Sequence, residues 1–145
     1  MGTQKKGKDR GAVRTCILSP TRIVLVIDIK FCEPYWKLPG GRIEPEDMHI
    51  VAAAIRECRE ETGIHLFLGE ISLHSKHQRQ DEIYRPYLCI AKVTESRLDT
   101  RLEISKENNG SILIKAFERS DVLKIASLLN SHRILIEEVF KSLVT

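Results

Sequence analysis

The sequence predicts an α/β domain: a mixed β-sheet with helices packed against it. Three observations carry that expectation. Residues 22–29, "RIVLVIDI", are a near-continuous β-branched run, as a strand buried on both faces requires. Residues 48–62 place apolar side chains at helical spacing and stop at Gly63, the residue type that closes helices. The elements follow in the order β-β-loop-α-β-β-β-α-α, which suits helices lying on a sheet.

The chain opens with a polar, basic stretch, so residues 1–10 are expected to be a loose tail before a single domain spanning 11–145. "AVRTCIL" (12–18) reads as a strand closed by Ser19-Pro20, and "SPTR" as a hairpin-like turn into the strand at 22–29. "EPYWKLPGGRIEPED" (33–47) is dense in proline and glycine and reads as loop with brief extended pieces. A helix is expected from about Met48 to Thr62, with Asp47 as its N-cap. "LFLGEISLHSKHQRQ" (66–80) and "EIYRPYLCIAKV" (82–93) read as two long strands joined around Gln80-Asp81. Residues 94–110 are polar and end in the turn signal "ENNG". "SILIKAF" (111–117) is a further strand, and "SDVLKIASLL" (120–129) reads as a helix capped by Ser120 or Asp121. "SHRILIEEVFKSL" (131–143) is a second, amphipathic helix whose Leu/Ile stripe belongs to the core.

A length of 145 residues suits one domain with one core. Apolar content of 42% and charged content of 30% are ordinary for a globular protein. The net charge of +3 comes partly from "KKGKDR", which speaks against a dedicated nucleic-acid platform. Cys16, Cys32, Cys58 and Cys89 form no C-x-x-C pair, and they read as reduced thiols in a cytoplasmic protein. No stretch approaches the roughly 18 apolar residues of a membrane span, and the polar N-terminus lacks the apolar core of a signal peptide.

The chemistry concentrates on the helix at 48–62. On a helical wheel Val51, Ala54, Ile55, Cys58 and Thr62 share one side. Glu57, Glu60 and Glu61 form a second group centred roughly 120–130° away. Their i, i+3, i+4 spacing makes the three carboxylates neighbours on one turn, where they repel one another. They also lie near the helix C-terminus, where the macrodipole disfavours anions. Breaking two local rules together marks a functional site, and a hard cation such as Mg²⁺ is the partner that carboxylate oxygens serve. The alternative is a solvated face neutralised by Arg56 and Arg59.

Upstream stands "WKLPGGRIEPED", and the joined segment "GGRIEPEDMHIVAAAIRECREETGI" resembles the Nudix box, G-x5-E-x7-R-E-U-x-E-E-x-G-U, with U bulky and apolar. Arg56 through Ile64 fit closely, with Cys58 an unusual apolar choice at its U position. The first half departs from the pattern. Counting from Gly41 leads to Asp47 rather than a glutamate, with eight residues rather than seven before Arg56, and counting from Gly40 leads to Glu46, with nine; either way the entry to the helix is longer than usual. The resemblance implies a Nudix fold, in which a mixed sheet is sandwiched between helices. It also implies that the first acid of the box, Asp47 or Glu46 by these counts, is largely structural and bonds to Arg56.

The resemblance further implies hydrolysis of a diphosphate linkage in a nucleoside diphosphate derivative, such as a nucleoside triphosphate or related small nucleotide, with Mg²⁺ or Mn²⁺ as cofactor. Carried over by position, Glu57 and Glu61 are metal ligands, and Glu60 is a ligand or holds a metal-bound water. The backbone carbonyl of Gly40 or Gly41 adds an oxygen, and Arg56 orients the glutamates. Several members add an acid from a late loop, a role open here to Glu107 in "ISKENNGS", with Glu103 behind it. Trp36 stands where it can either stack on a base or pack in the core. Arg79, Arg85 and Tyr84 lie on strands that can wall a phosphate pocket. His74 and His77 look like a ligand pair, but their odd separation on a strand turns them to opposite faces.

Two classes of function follow from the resemblance: a metal-dependent pyrophosphohydrolase, and a catalytically silent nucleotide-binding sensor or regulatory module. Retention of all three glutamates favours the enzyme. The expected partner is a small nucleotide; a 5′-triphosphate RNA end is the one nucleic acid in scope, and many relatives pair as homodimers through their sheets.

Overall fold

The computed structural model describes residues 11–29, 35–76, 86–99 and 112–144. Within them are six strands: β1 (Ala12–Leu18), β2 (Arg22–Asp28), β3 (Gly40–Arg42), β4 (Ile71–Lys76), β5 (Tyr87–Lys92) and β6 (Ile112–Glu118). Three helices accompany them: α1 (Ile50–Thr62), the single-turn α2 (Glu95–Leu98) and α3 (Asn130–Leu143). The strands form one sheet in the order β4-β5-β1-β2-β6, with β3 paired to β1. β1 runs parallel to β5 and antiparallel to β2 and β3, so the sheet is mixed, as expected.

Alternation along the strands divides the apolar residues between two faces. Val13 and Ile17 of β1, Val24 and Val26 of β2, and Cys89 and Ala91 of β5 pack with Ala53, Ala54 and Cys58 of α1. Cys16 and Leu18, Ile23 and Leu25, and Leu88 and Ile90 pack with Leu135, Ile136 and Val139 of α3. Because both faces are covered, β2 needs apolar residues at successive positions, which explains its run from Ile23 to Ile27 between charged ends. The buried thiols of Cys16, Cys58 and Cys89 are free, and burial pushes those of Cys58 and Cys89 up to about 12, so they are core residues. Cys32 lies outside the described residues. Among those described, no helix is long and apolar enough to cross a membrane.

A split in the sheet positions the site. β1 meets β2 in register only near their connecting turn, at Leu18↔Ile23. Its N-terminal half pairs instead with β3, Val13 opposite Gly41 and Arg14 opposite Gly40. The chain leading to β3 therefore threads between β1 and β2. Lys37 exchanges two 2.8 Å backbone bonds with Val26, and the Pro39 carbonyl accepts from the Thr15 amide at 3.0 Å.

Several sequence expectations are corrected. The α1 helix begins at Ile50 and is capped by His49, whose Nδ1 accepts from the Ala52 amide; Asp47 is not the cap because its carboxylate is engaged elsewhere. Residues 66–70 are not strand: Leu68–Glu70 make one 3₁₀ turn, with Glu70 Oε1 accepting from the Phe67 amide. Residues 120–129 are not a helix beyond a single 3₁₀ turn at Val122–Lys124. There the backbone is drawn into tertiary bonds, Trp36 N–H to the Ser127 carbonyl and Leu129 N–H to the Trp36 carbonyl, which replace helical ones. The expected loop at 94–110 opens with α2, where Glu95 accepts from Ser19 Oγ, Thr21 N–H and Oγ1, and Arg22 Nε, tying down the β1–β2 turn. The expected tail at 1–10 and the strand junction at Gln80-Asp81 lie outside the described residues.

Candidate active site

The glycine pair and the acidic turn of α1 meet at the split. Gly40 (φ 154°) donates its amide to Glu61 Oε1 at 3.0 Å. Gly41 lies so close to Glu57 that a Cβ built on it would sit 2.5 Å from Glu57 Oε2. Only a residue without a side chain allows that approach. Two of the three expected carboxylates are thus set directly against the glycine backbone.

Glu57 is buried, at 8% exposure, although the helical wheel sets it apart from the apolar side. Burial raises its carboxyl above the usual range, with the Arg56 guanidinium opposing the shift. Burial also pushes Glu61 up to about 7, against the Gly40 amide and the charge of Arg14. Both shifts have the same cause, the cost of holding an anion away from water. Glu60 is more open, with its side chain 37% exposed.

Arg56 organises this cluster. Its Nε and Nη2 grip Asp47 Oδ1 and Oδ2 at 2.9 and 2.8 Å, a bidentate pair. Its Nη1 donates to Glu57 Oε2 at 3.2 Å and Glu60 Oε1 at 3.3 Å, and Nη2 also reaches the Arg42 carbonyl. Asp47 is 8% exposed and accepts the Glu44 amide as well. The shorter acid and the extra loop residue are therefore accommodated by a turn at 44–47 that carries Asp47 back to Arg56. Among the described residues, no three His, Cys, Asp or Glu side chains converge as a ready-made metal cage, since the guanidinium stands between Glu57 and Glu60.

Trp36 lies on the α3 side of the sheet, edge-on to Phe117 with ring centroids 5.0 Å apart, and pairs with Leu128. This is a packing environment away from the carboxylates. His74 is within 3.7 Å of Glu138 on α3, not in the acidic cluster. His77, Arg79, Tyr84, Arg85, Glu103 and Glu107 lie outside the described residues.

Sequence reading missed three residues around the glycine turn. Arg14 Nη1 donates to the Leu38 carbonyl at 3.0 Å, and Lys37 lies close enough for its charge to act on Glu61. His132 is 1% exposed and its Nδ1 accepts the Leu38 amide at 2.9 Å. Burial, with the charges of Arg14 and Lys37, depresses the imidazole to about 3, so it is neutral with its proton on Nε2. One signal was available: His132 stands at i, with Leu135, Ile136 and Val139 at i+3, i+4 and i+7, a polar residue on the buried stripe of α3.

This chain belongs to the NUDIX domain family, whose profile matches residues 8–133. Among its relatives it is similar to diphosphoinositol polyphosphate phosphohydrolase 3-beta of Bos taurus, 38% identical over 72 residues. That match spans 50% of this chain and 43% of the relative, so the similarity covers less than half of the relative's length. It is also similar to a putative 8-oxo-dGTP diphosphatase of Bacillus subtilis, 36% identical over 67 residues, or 46% of this chain and 44% of that one. Among solved structures, the MutT protein of Methanosarcina mazei superposes with a TM-score of 0.65 at 19% identity, covering 90% of this chain and 92% of that chain. At that identity the likeness concerns the fold, which is MutT-like.

Proposed function

We propose that this chain is a divalent-metal-dependent pyrophosphohydrolase that cleaves a diphosphate linkage, with a nucleoside triphosphate or related small nucleotide as substrate. The observation that carries the reading is the pairing of two largely buried carboxylates, Glu57 and Glu61, with the Gly40–Gly41 backbone. The donors fit Mg²⁺ or Mn²⁺: all are oxygens, and burial withdraws two of them partly from water, so a cation there relieves a cost the fold carries. Glu57, Glu61 and a carbonyl of Gly40 or Gly41 would hold the ion, with Glu60 at the open side. A cation held there supplies charge neutralisation at the diphosphate and a more acidic water.

The chain's own residues do the rest. Arg56 ties Glu57 and Glu60 to Asp47, so their carboxylates are held before substrate arrives. The Gly40 amide holds Glu61 Oε1 in place. Burial raises Glu61 toward neutrality, and a cation bound beside it would hold its carboxylate ionised. The nucleotide assignment is supported by similarity to the relative named as an 8-oxo-dGTP diphosphatase. Similarity to relatives named as diphosphoinositol polyphosphate phosphohydrolases favours a second substrate class with the same scissile linkage.

The test is a panel of nucleoside triphosphates, oxidised deoxynucleotides, ADP-ribose, dinucleoside polyphosphates, triphosphate-ended RNA and a diphosphoinositol polyphosphate. Phosphate or pyrophosphate release is measured with Mg²⁺ or Mn²⁺, with chelator, and with Glu61→Gln. The expected result is turnover of at least one compound, abolished by chelator and lowered at least about 10²-fold by the substitution, as for loss of a group at the reaction centre. Turnover indifferent to both treatments overturns the mechanism. No turnover of any compound, with nucleotide binding retained, favours the regulatory module.

A further inference from the structure

The glycine turn is strung between the two helices that cover opposite faces of the sheet. Every backbone N–H from Trp36 to Gly40 is bonded, Pro39 having none. Trp36 donates to the Ser127 carbonyl at 2.7 Å and Lys37 to the Val26 carbonyl at 2.8 Å. The other two go to side chains, Leu38 to His132 Nδ1 at 2.9 Å and Gly40 to Glu61 Oε1 at 3.0 Å. His132 comes from the first turn of α3 and Glu61 from the last turn of α1.

We infer that His132 is a positioning residue for the metal site, acting through the Leu38 amide to set where the Gly40–Gly41 backbone stands. The geometry gives it that leverage. Leu38 and His132 are both buried, at 0% and 1% exposure, so water cannot replace the imidazole as acceptor. Leu38 is two residues from Gly40, and rigid Pro39 lies between them, its own carbonyl fixed by the Thr15 amide. A shift at Leu38 is therefore passed on to Gly40 and its bond to Glu61. Arg14, bonded to the Leu38 carbonyl, closes the same link from β1. The inference rests on the proposed function in that it takes the glycine turn to be part of a cation site.

The experiment compares wild type with His132→Leu, which removes the acceptor, and His132→Asn, whose Oδ1 can take the Leu38 amide. Val139→Ala serves as a control that loosens the same helix and the core cluster it shares with Leu38 while leaving the Leu38 amide its acceptor. Mn²⁺ binding is followed by electron paramagnetic resonance, and exchange of the Leu38 and Gly40 amides by hydrogen exchange. Expected for His132→Leu is Mn²⁺ binding weaker by about 10-fold, the low end of effects from residues supporting metal ligands. Its Gly40 amide should exchange at least about 10-fold faster, reporting a turn that opens locally. Binding by His132→Asn and Val139→Ala should stay within about threefold of wild type, since both keep an acceptor at Leu38.

If His132→Leu binds Mn²⁺ as wild type does, or Val139→Ala weakens binding equally, the positioning role is overturned while the functional reading stands. If wild type itself binds no Mn²⁺, both are overturned.

Discussion

Replacing Gly41 by alanine tests the closest contact of the site. The added Cβ would lie 2.5 Å from Glu57 Oε2 and 2.7 Å from its Cδ and Oε1. Ordinary carbon contacts are about 3.5–4.0 Å, so the carboxylate must retreat by about 1 Å. It is the far end of a side chain, so the fold can absorb the move. The cost is an off-rotamer Glu57, about 1 kcal/mol, and a loosened 3.2 Å bond to Arg56 Nη1. Activity is less forgiving, because a 1 Å misplacement of a group at the reacting centre costs about 10²-fold. That fall in kcat/KM corresponds to about 2.7 kcal/mol of transition-state stabilisation. The assay pairs urea denaturation with steady-state kinetics on whichever diphosphate compound the wild type turns over. Full activity in a folded Gly41→Ala protein would refute the assignment of Glu57 to the reaction centre. A grossly unfolded variant would refute the claim that only a side-chain end stands in the way.

Gly40→Ala should behave differently, because its Cβ would meet the Val13 carbonyl at 2.0 Å and the Arg14 Cα at 2.9 Å, backbone that cannot step aside. With φ at 154°, a loss of at least about 3 kcal/mol is expected by urea denaturation. Arg56→Gln strands the buried Asp47 carboxylate and should cost about 3 kcal/mol, with Arg56→Lys recovering only part of it because the bidentate grip is lost. His132 gives the fold a defined acid sensitivity. Its folded value is depressed to about 3, through burial and the facing charges of Arg14 and Lys37, so between about pH 6.5 and 3 the unfolded chain binds a proton that the folded chain refuses. Stability contributed by neutral His132 is thus present above pH 6.5 and lost as pH falls. The loss at pH 5 relative to pH 7 should be about 2 kcal/mol greater for wild type than for His132→Asn by urea denaturation. Equal pH dependence in the two proteins would rule this out.

Local pattern was sufficient where one residue's role depends on near neighbours. The apolar run Ile23–Ile27 of β2, most of the stripe of α3 and the i, i+3, i+4 glutamates were legible, since period and composition report directly on burial and spacing, although Ile29 and Ile134, read as core, are 48% and 45% exposed. Where long-range bonds compete with local preference, pattern failed. Residues 120–129 have helical spacing, yet Ser127 and Leu129 bond to Trp36, about 90 positions away, and most of the helix is not formed. Asp47 is a good cap by type, but the Arg56 guanidinium claims it and His49 caps instead.

The composition of the site could be read along the chain: an acidic turn, two glycines and an arginine, all within residues 40–61. Its arrangement could not. That β1 parts from β2, that the glycine turn enters the gap, and that a histidine 94 positions away holds the Leu38 amide are consequences of how sheet and helices close on one another. Residue type and spacing encode which groups are near neighbours on one element, whereas packing alone determines which distant amide and which distant acceptor are left facing each other in a space without water.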